Sequence, residues 1–184
     1  MLENLTRNWW MYAVRGVLAI VFGAVALARP GQALAALVLL FGSYAMVDGF
    51  FALFTGIASI SYFSRWWALV LEGIAGIVIG ALTFIYPNIT ALVLLYFIAA
   101  WALITGIFEI VAAIQLRREI TGEGWLILGG LSSIVFSVLL VVFPGAGAMS
   151  VVWMIAIYAI IFGTSEIILG FQMKGFRKDV LQTA

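Results

Sequence analysis

The chain has 184 residues, of which 66% are hydrophobic and only 9% are charged, and its formal net charge is +1. Soluble domains carry about 25% charged residues, so this composition excludes an ordinary soluble protein and indicates an integral membrane protein. Cysteine and histidine are both absent, which excludes disulfides, thiol nucleophiles and the usual zinc ligands.

Six apolar runs approach or exceed the ~20 residues that a helix needs to cross ~30 Å of hydrocarbon. In chain order they predict spans near 9–29, 33–57, 66–86, 90–115, 124–143 and 147–171. The first run is not a cleaved secretory signal, because Arg15 interrupts it and the same pattern recurs in the third and fifth runs. The predicted fold class is all-α: a polytopic membrane protein with one integral membrane domain over residues 1–184.

The six spans form an internal repeat of 57 residues. The chain's three prolines, Pro30, Pro87 and Pro144, are separated by that interval, and each is expected to end one helix and begin a tight turn. The same offset superimposes three further sets: Gly16, Gly73 and Gly130; Gly49, Gly106 and Gly163; and Tyr44, Trp101 and Tyr158. The units are three tandem helical hairpins at about 2–58, 59–115 and 116–172, followed by a basic tail at 173–184. Since each unit has an even number of spans, we predict a pseudo-threefold relation about the membrane normal.

Positive charge outside the spans is distributed unequally. One residue, Arg29, lies on the side of the proline turns, and seven lie on the side of the termini: Arg7, Arg65, Arg117, Arg118, Lys174, Arg177 and Lys178. The positive-inside rule therefore predicts that both termini are cytoplasmic. Tryptophans are expected to form an interfacial belt where the odd-numbered helices enter: Trp9, Trp10, Trp66, Trp67 and Trp125.

Small residues recur at i, i+3 and i+7, which places them on one helical face and favours close helix packing in lipid. On the odd-numbered helices they are Gly16, Ala19, Gly23; Gly73, Gly76, Gly80; and Gly130, Ser133, Ser137. On the even-numbered helices the corresponding residues are Gly49, Ala52, Gly56; Gly106, Glu109, Ala113; and Gly163, Glu166, Gly170. Glu109 and Glu166 are therefore expected at helix contacts rather than on lipid-facing surfaces.

Five ionisable residues lie in the interior of the predicted spans and form the candidate functional cluster, which is expected to be buried in the cytoplasmic leaflet: Arg15, Asp48, Glu72, Glu109 and Glu166. Asp48 is one turn deeper than the other four, which lie roughly 9 Å inside the terminal side at 1.5 Å per residue. Placing a charged side chain at the centre of a membrane-spanning helix costs about 2.5 to 3.5 kcal/mol or more in free energy, so such residues are functional candidates by default. One arginine cannot neutralise four carboxylates, so some are expected to be protonated. The cluster is then either a coupled proton sensor or structural glue in which Arg15 pairs with one or two carboxylates.

A family resemblance rests on motifs in all three repeats. They are Trp9-Trp10, Arg15-Gly16, Phe22-Gly23 and Arg29-Pro30-Gly31, then Gly42 and Tyr44 with Gly49, then Glu72-Gly73, Gly80 and Pro87, then Trp101 with Gly106, and finally Gly130, Phe136 and Pro144. This pattern resembles the HdeD-like acid-resistance membrane protein family, whose members are short-repeat, six-span proteins of the bacterial inner membrane. The resemblance implies a stress-response role in protecting dense populations against acid, and it implies no established catalytic residues.

The sequence thus predicts a non-enzymatic inner-membrane stress protein. The alternative is a proton or small-solute transporter or channel, although the outer half of every span lacks the charge that a continuous polar route would use. No catalytic, cofactor-binding or metal-binding residues are predicted, because no nucleophile with a base is visible. The predicted partner is the lipid bilayer, with no nucleic acid and no soluble partner. Small-residue faces such as that of Gly76 and Gly80 can equally build a homo-oligomer.

Overall fold

The computed structural model describes the backbone of residues 9–116 and 123–182 and the side chains of residues 10–116 and 124–173. Over those ranges the chain forms six helices: α1 (Trp9–Ala28), α2 (Pro30–Ala58), α3 (Trp66–Ile85), α4 (Pro87–Leu116), α5 (Glu123–Val142) and α6 (Pro144–Gln182). All six contain stretches long and apolar enough to cross a membrane, which confirms the predicted fold class. Several residues used for the orientation lie outside the described residues or side chains: Arg7, Trp9, Arg117, Arg118, Lys174, Arg177 and Lys178.

The prolines begin helices, and the prediction that they introduce turns is wrong. Pro30, Pro87 and Pro144 are the first residues of α2, α4 and α6, so these helices start three residues earlier than predicted. Proline suits this position because its missing N–H has no intrahelical acceptor there and its fixed φ already matches the helix.

A single residue separates the helices at each proline connection: Arg29, Tyr86 or Phe143. The Tyr86 N–H donates to the Leu82 carbonyl at 2.8 Å, and the Tyr86 carbonyl accepts from the Thr90 N–H at 3.1 Å. Tyr86 therefore satisfies the end of one helix and the start of the next. Arg29 does the same with Val25 and Ala33, and Phe143 with Leu139 and Gly147.

Helix length alternates along the chain. Each of α1, α3 and α5 has 20 residues, which corresponds to about 30 Å of helix, the thickness of the hydrocarbon core. The helices that begin with proline are longer, with 29 residues in α2, 30 in α4 and 39 in α6. A helix of 29 residues is about 44 Å long, and tilting accommodates such an excess in a bilayer.

The chain divides into two compact units. In the first, α1 packs on the part of α6 that follows Met149. In the second, which covers residues 34–148, α2 packs on α3 and α4 packs on α5. Each closely packed pair therefore joins an even-numbered helix to an odd-numbered helix of another repeat: the next one along the chain or, for α6, the first. These three helix contacts cross the repeat boundaries.

Glycines meet at equivalent places in all three pairs. A Cβ atom built on one glycine would approach the facing glycine's carbonyl oxygen to 2.5 Å for Gly16 and Gly163, 2.6 Å for Gly130 and Gly106, and 2.8 Å for Gly49 and Gly73. Real Cβ atoms essentially never come so close to a carbonyl oxygen. The predicted small-residue faces are thus confirmed as the surfaces on which the backbones approach each other, as in other membrane helix pairs.

Candidate functional site

The five intramembrane ionisable residues occupy three positions of the repeat. Two positions lie on the even-numbered helix, and the third lies on the odd-numbered helix that packs against it. The α2–α3 site consists of Asp48, Ala52 and Glu72; the α4–α5 site consists of Thr105, Glu109 and Gly129; and the α6–α1 site consists of Phe162, Glu166 and Arg15. One location in the repeat therefore carries all five groups, with a different composition at each site.

The α2–α3 site holds two carboxylates. Asp48 and Glu72 directly precede Gly49 and Gly73, the glycines at which α2 and α3 touch. Both carboxylate side chains are exposed. Ala52 occupies the position at which the other two sites have a glutamate. The α2–α3 site therefore has two exposed carboxylates and an apolar, half-buried residue between the helices.

The α4–α5 site contains one carboxylate beside open space. Glu109 is half-buried, and its Oε2 atom would lie 3.3 Å from a Cβ atom built on Gly129. A cavity of about 450 Å³ adjoins this carboxylate; its lining includes Thr105, Phe108, Glu109, Trp125, Leu126 and Gly129. We call this cavity the Glu109 groove. Because Gly129 has no side chain, the space next to the carboxylate stays open.

The α6–α1 site contains a buried carboxylate and an arginine. Glu166 is only 7% exposed, and its Oε2 atom has no hydrogen-bond partner. The Arg15 guanidinium carbon lies 5.4 Å from the centroid of the Phe162 ring, a cation–π distance. Phe162 precedes Glu166 by one helical turn, so the arginine lies over the aromatic neighbour of the carboxylate.

The structure separates the predicted residues by burial. Glu166 is buried and Glu109 is half-buried at helix contacts, as the small-residue pattern predicts. Arg15, Asp48 and Glu72 are exposed, so the expectation that all five are buried is not met for these three. These three residues each directly precede a glycine of a helix contact, whereas Glu109 and Glu166 lie about one turn after such a glycine, along the packed face.

Sequence reasoning missed the uncharged members of these sites, namely Phe162, Gly129 and Trp125. The 57-residue offset already aligned Gly129 with Arg15 and Glu72. That alignment becomes informative only once the facing helices are known, since one of the three positions of each site comes from a different helix than the other two.

These features define the class of protein: a multi-pass helical membrane protein built from three repeats, with ionisable groups at repeated helix contacts. The chain belongs to the family described as a short repeat of unknown function, DUF308, which matches residues 14–72, 71–142 and 128–182. The three matches begin 57 residues apart, in agreement with the proline spacing. Comparisons with the curated proteins and with the solved structures give no significant match.

Proposed function

We propose that this protein is a non-enzymatic stress protein of the bacterial inner membrane that contributes to acid resistance. In this proposal the termini face the cytoplasm and the intramembrane carboxylates respond to cytoplasmic protons. Membership of the short-repeat family and the six apolar helices support the membrane location. The resemblance to the HdeD-like family supports the acid-resistance role.

The observation that carries the proton-sensing role is the buried Oε2 atom of Glu166, which has no hydrogen-bond partner. A buried polar atom without a partner costs about 1 to 3 kcal/mol. A carboxylate retained as structural glue would be expected to satisfy its oxygens across the helix contact. An oxygen that stays unpartnered inside the contact lowers stability without joining the helices, so packing alone does not account for a glutamate at this position. Glu166 therefore supports sensing over glue.

The test is survival of an acid challenge by a strain that lacks this protein, complemented with the wild type, Glu166→Gln or Thr164→Ala at equal membrane abundance. Thr164 is an exposed neighbour whose Oγ1 atom donates within its own helix, to the Ile160 carbonyl at 2.8 Å, so it is a matched control. We expect rescue by the wild type and Thr164→Ala, and loss of rescue by Glu166→Gln. Equal rescue by all three would reject the sensing role, and no rescue by the wild type would reject acid resistance itself.

The alternative function, transport of protons or a small solute, is supported by the cavity beside Glu109. A half-buried carboxylate next to open space provides one polar step, whereas a route across the bilayer needs several. Proton flux in liposomes containing the purified protein separates the two functions. Flux above that of protein-free liposomes, lost in Glu109→Gln, would favour transport over sensing.

A further inference from the structure

The three equivalent sites allow the chain to be compared with itself. Gly129 in the α4–α5 site is the counterpart of Arg15 in the α6–α1 site, and Glu109 is the counterpart of Glu166. Arg15 brings a guanidinium group to an aromatic ring one turn from its glutamate. In the α4–α5 site the glutamate is retained, but glycine replaces the residue that supplies the cation.

The volume freed by that glycine is open. A Cβ atom built on Gly129 would meet only the flexible end of the Glu109 side chain, at 3.3 Å. The Glu109 groove is open rather than enclosed and has a volume of about 450 Å³. The α4–α5 site therefore has a carboxylate, and room for a cation that the chain itself does not provide.

The groove also contains aromatic surface. Trp125 is 78% exposed and Phe108 is 67% exposed, and both line the groove with Glu109. Exposed aromatic faces attract cations, tryptophan most strongly. A hard divalent ion would need about six oxygen ligands, whereas this lining offers one carboxylate and one hydroxyl among apolar groups. The chemistry suits an organic cation with a single charge.

We propose that the Glu109 groove binds an organic monocation with an ammonium or guanidinium-type head, whose charge pairs with Glu109 and whose apolar body lies against Phe108 and Trp125. In the α6–α1 site the chain itself supplies a cation at the repeat position of Gly129, namely Arg15. The groove takes this cation from solution or from the membrane phase, and the site does not depend on the acid-resistance role.

The test uses the full chain in dodecyl maltoside micelles, whose head groups carry no ammonium group, with ethidium as the probe and fluorescence anisotropy as the readout. We expect saturable binding by the wild type that is weakened at least about tenfold in Glu109→Gln, because the charge-assisted contact is lost. Gly129→Arg should also abolish binding, because it introduces the cation found in the α6–α1 site. Glu166→Gln is the matched control and should bind as the wild type does.

Two independent substitutions keep the result interpretable, since Gly129→Arg fills the groove without removing Glu109. Wild-type affinity in either Glu109→Gln or Gly129→Arg would overturn the proposal, as would loss of binding in Glu166→Gln alone. Adding increasing fractions of phosphatidylethanolamine to the micelles tests the source of the cation. Unchanged ethidium affinity supports a dissolved cation, whereas affinity that falls as the phosphatidylethanolamine fraction rises would assign the groove to a lipid amine instead.

Discussion

The Oγ atom of Ser137 donates a hydrogen bond to the carbonyl oxygen of Ala99 at 2.7 Å. The bond joins α5 to α4, and Ser137 is almost completely buried. In the other two helix pairs a glycine takes the place of this serine: a Cβ atom on Gly80 would meet the Gly42 carbonyl oxygen at 2.8 Å, and one on Gly23 would meet that of Ala156 at 2.7 Å. At this position the α4–α5 pair thus has an interhelical hydrogen bond, where the other two pairs have close contacts of a glycine with backbone and apolar side-chain atoms.

Replacing Ser137 with alanine should lower the stability of the protein by about 0.6 to 1.5 kcal/mol, the range for such a bond in membrane and soluble proteins. The measurement is reversible unfolding in mixed micelles. Ser132→Ala is the control, because the exposed Ser132 hydroxyl donates within its own helix, to the Leu128 carbonyl at 2.7 Å. Equal losses of stability in the two variants would show that the interhelical hydrogen bond contributes no more than a hydrogen bond within one helix.

The glycine contacts predict that Gly→Ala substitutions change the stability of the protein very differently at different positions. Gly106→Ala or Gly130→Ala should destabilise the protein by about 1 to 3 kcal/mol, since the added methyl group forces the backbones of α4 and α5 apart. Gly124→Ala and Gly145→Ala should be neutral or slightly stabilising, because nothing lies within 4 Å of a Cβ atom at either position and alanine favours helix. Thermal unfolding of the four variants measures the difference, and similar midpoints for both groups would contradict it.

Glu166→Met should raise the stability of the protein at neutral pH by about 1 kcal/mol or more. The substitution replaces a buried carboxylate, one of whose oxygens has no partner, with an apolar side chain of similar length. Glu72→Met serves as the control because Glu72 is exposed, and it should change the thermal midpoint less. A lower midpoint for Glu166→Met would show that the carboxylate stabilises the contact between α6 and α1, which is the behaviour expected of structural glue.

The absence of cysteine from the chain makes the proposed orientation easy to test. Ser61 lies between α2 and α3, and Asn88 lies at the start of α4; both side chains are exposed. A membrane-impermeant maleimide should label Asn88→Cys in cells with a permeable outer membrane, and should label Ser61→Cys only after the inner membrane is opened. The reverse pattern would place the termini outside the cytoplasm.

The number and type of elements followed from the sequence because hydrophobic length and the 57-residue period are strong, redundant signals. The start of the even-numbered helices did not, because a proline after a helix is compatible both with a turn and with the first position of a new helix. At Tyr86 the choice between a turn and a new helix is decided by two backbone hydrogen bonds, one to the end of α3 and one from the start of α4. The Glu109 groove could not be predicted from the sequence. Trp125 and Gly129 lie on α5 and Glu109 lies on α4, and the sequence alone does not show which helices face each other.

The pairing of α6 with α1 gives the helix order a cyclic character. Every even-numbered helix packs on an odd-numbered one in another repeat, and the first and last helices form such a pair through Gly16 and Gly163. A gene rearranged to open between α2 and α3, with its former ends joined by a linker, would encode all three helix pairs unchanged. In such a circular permutant, the break in the backbone would simply move from one repeat boundary to another.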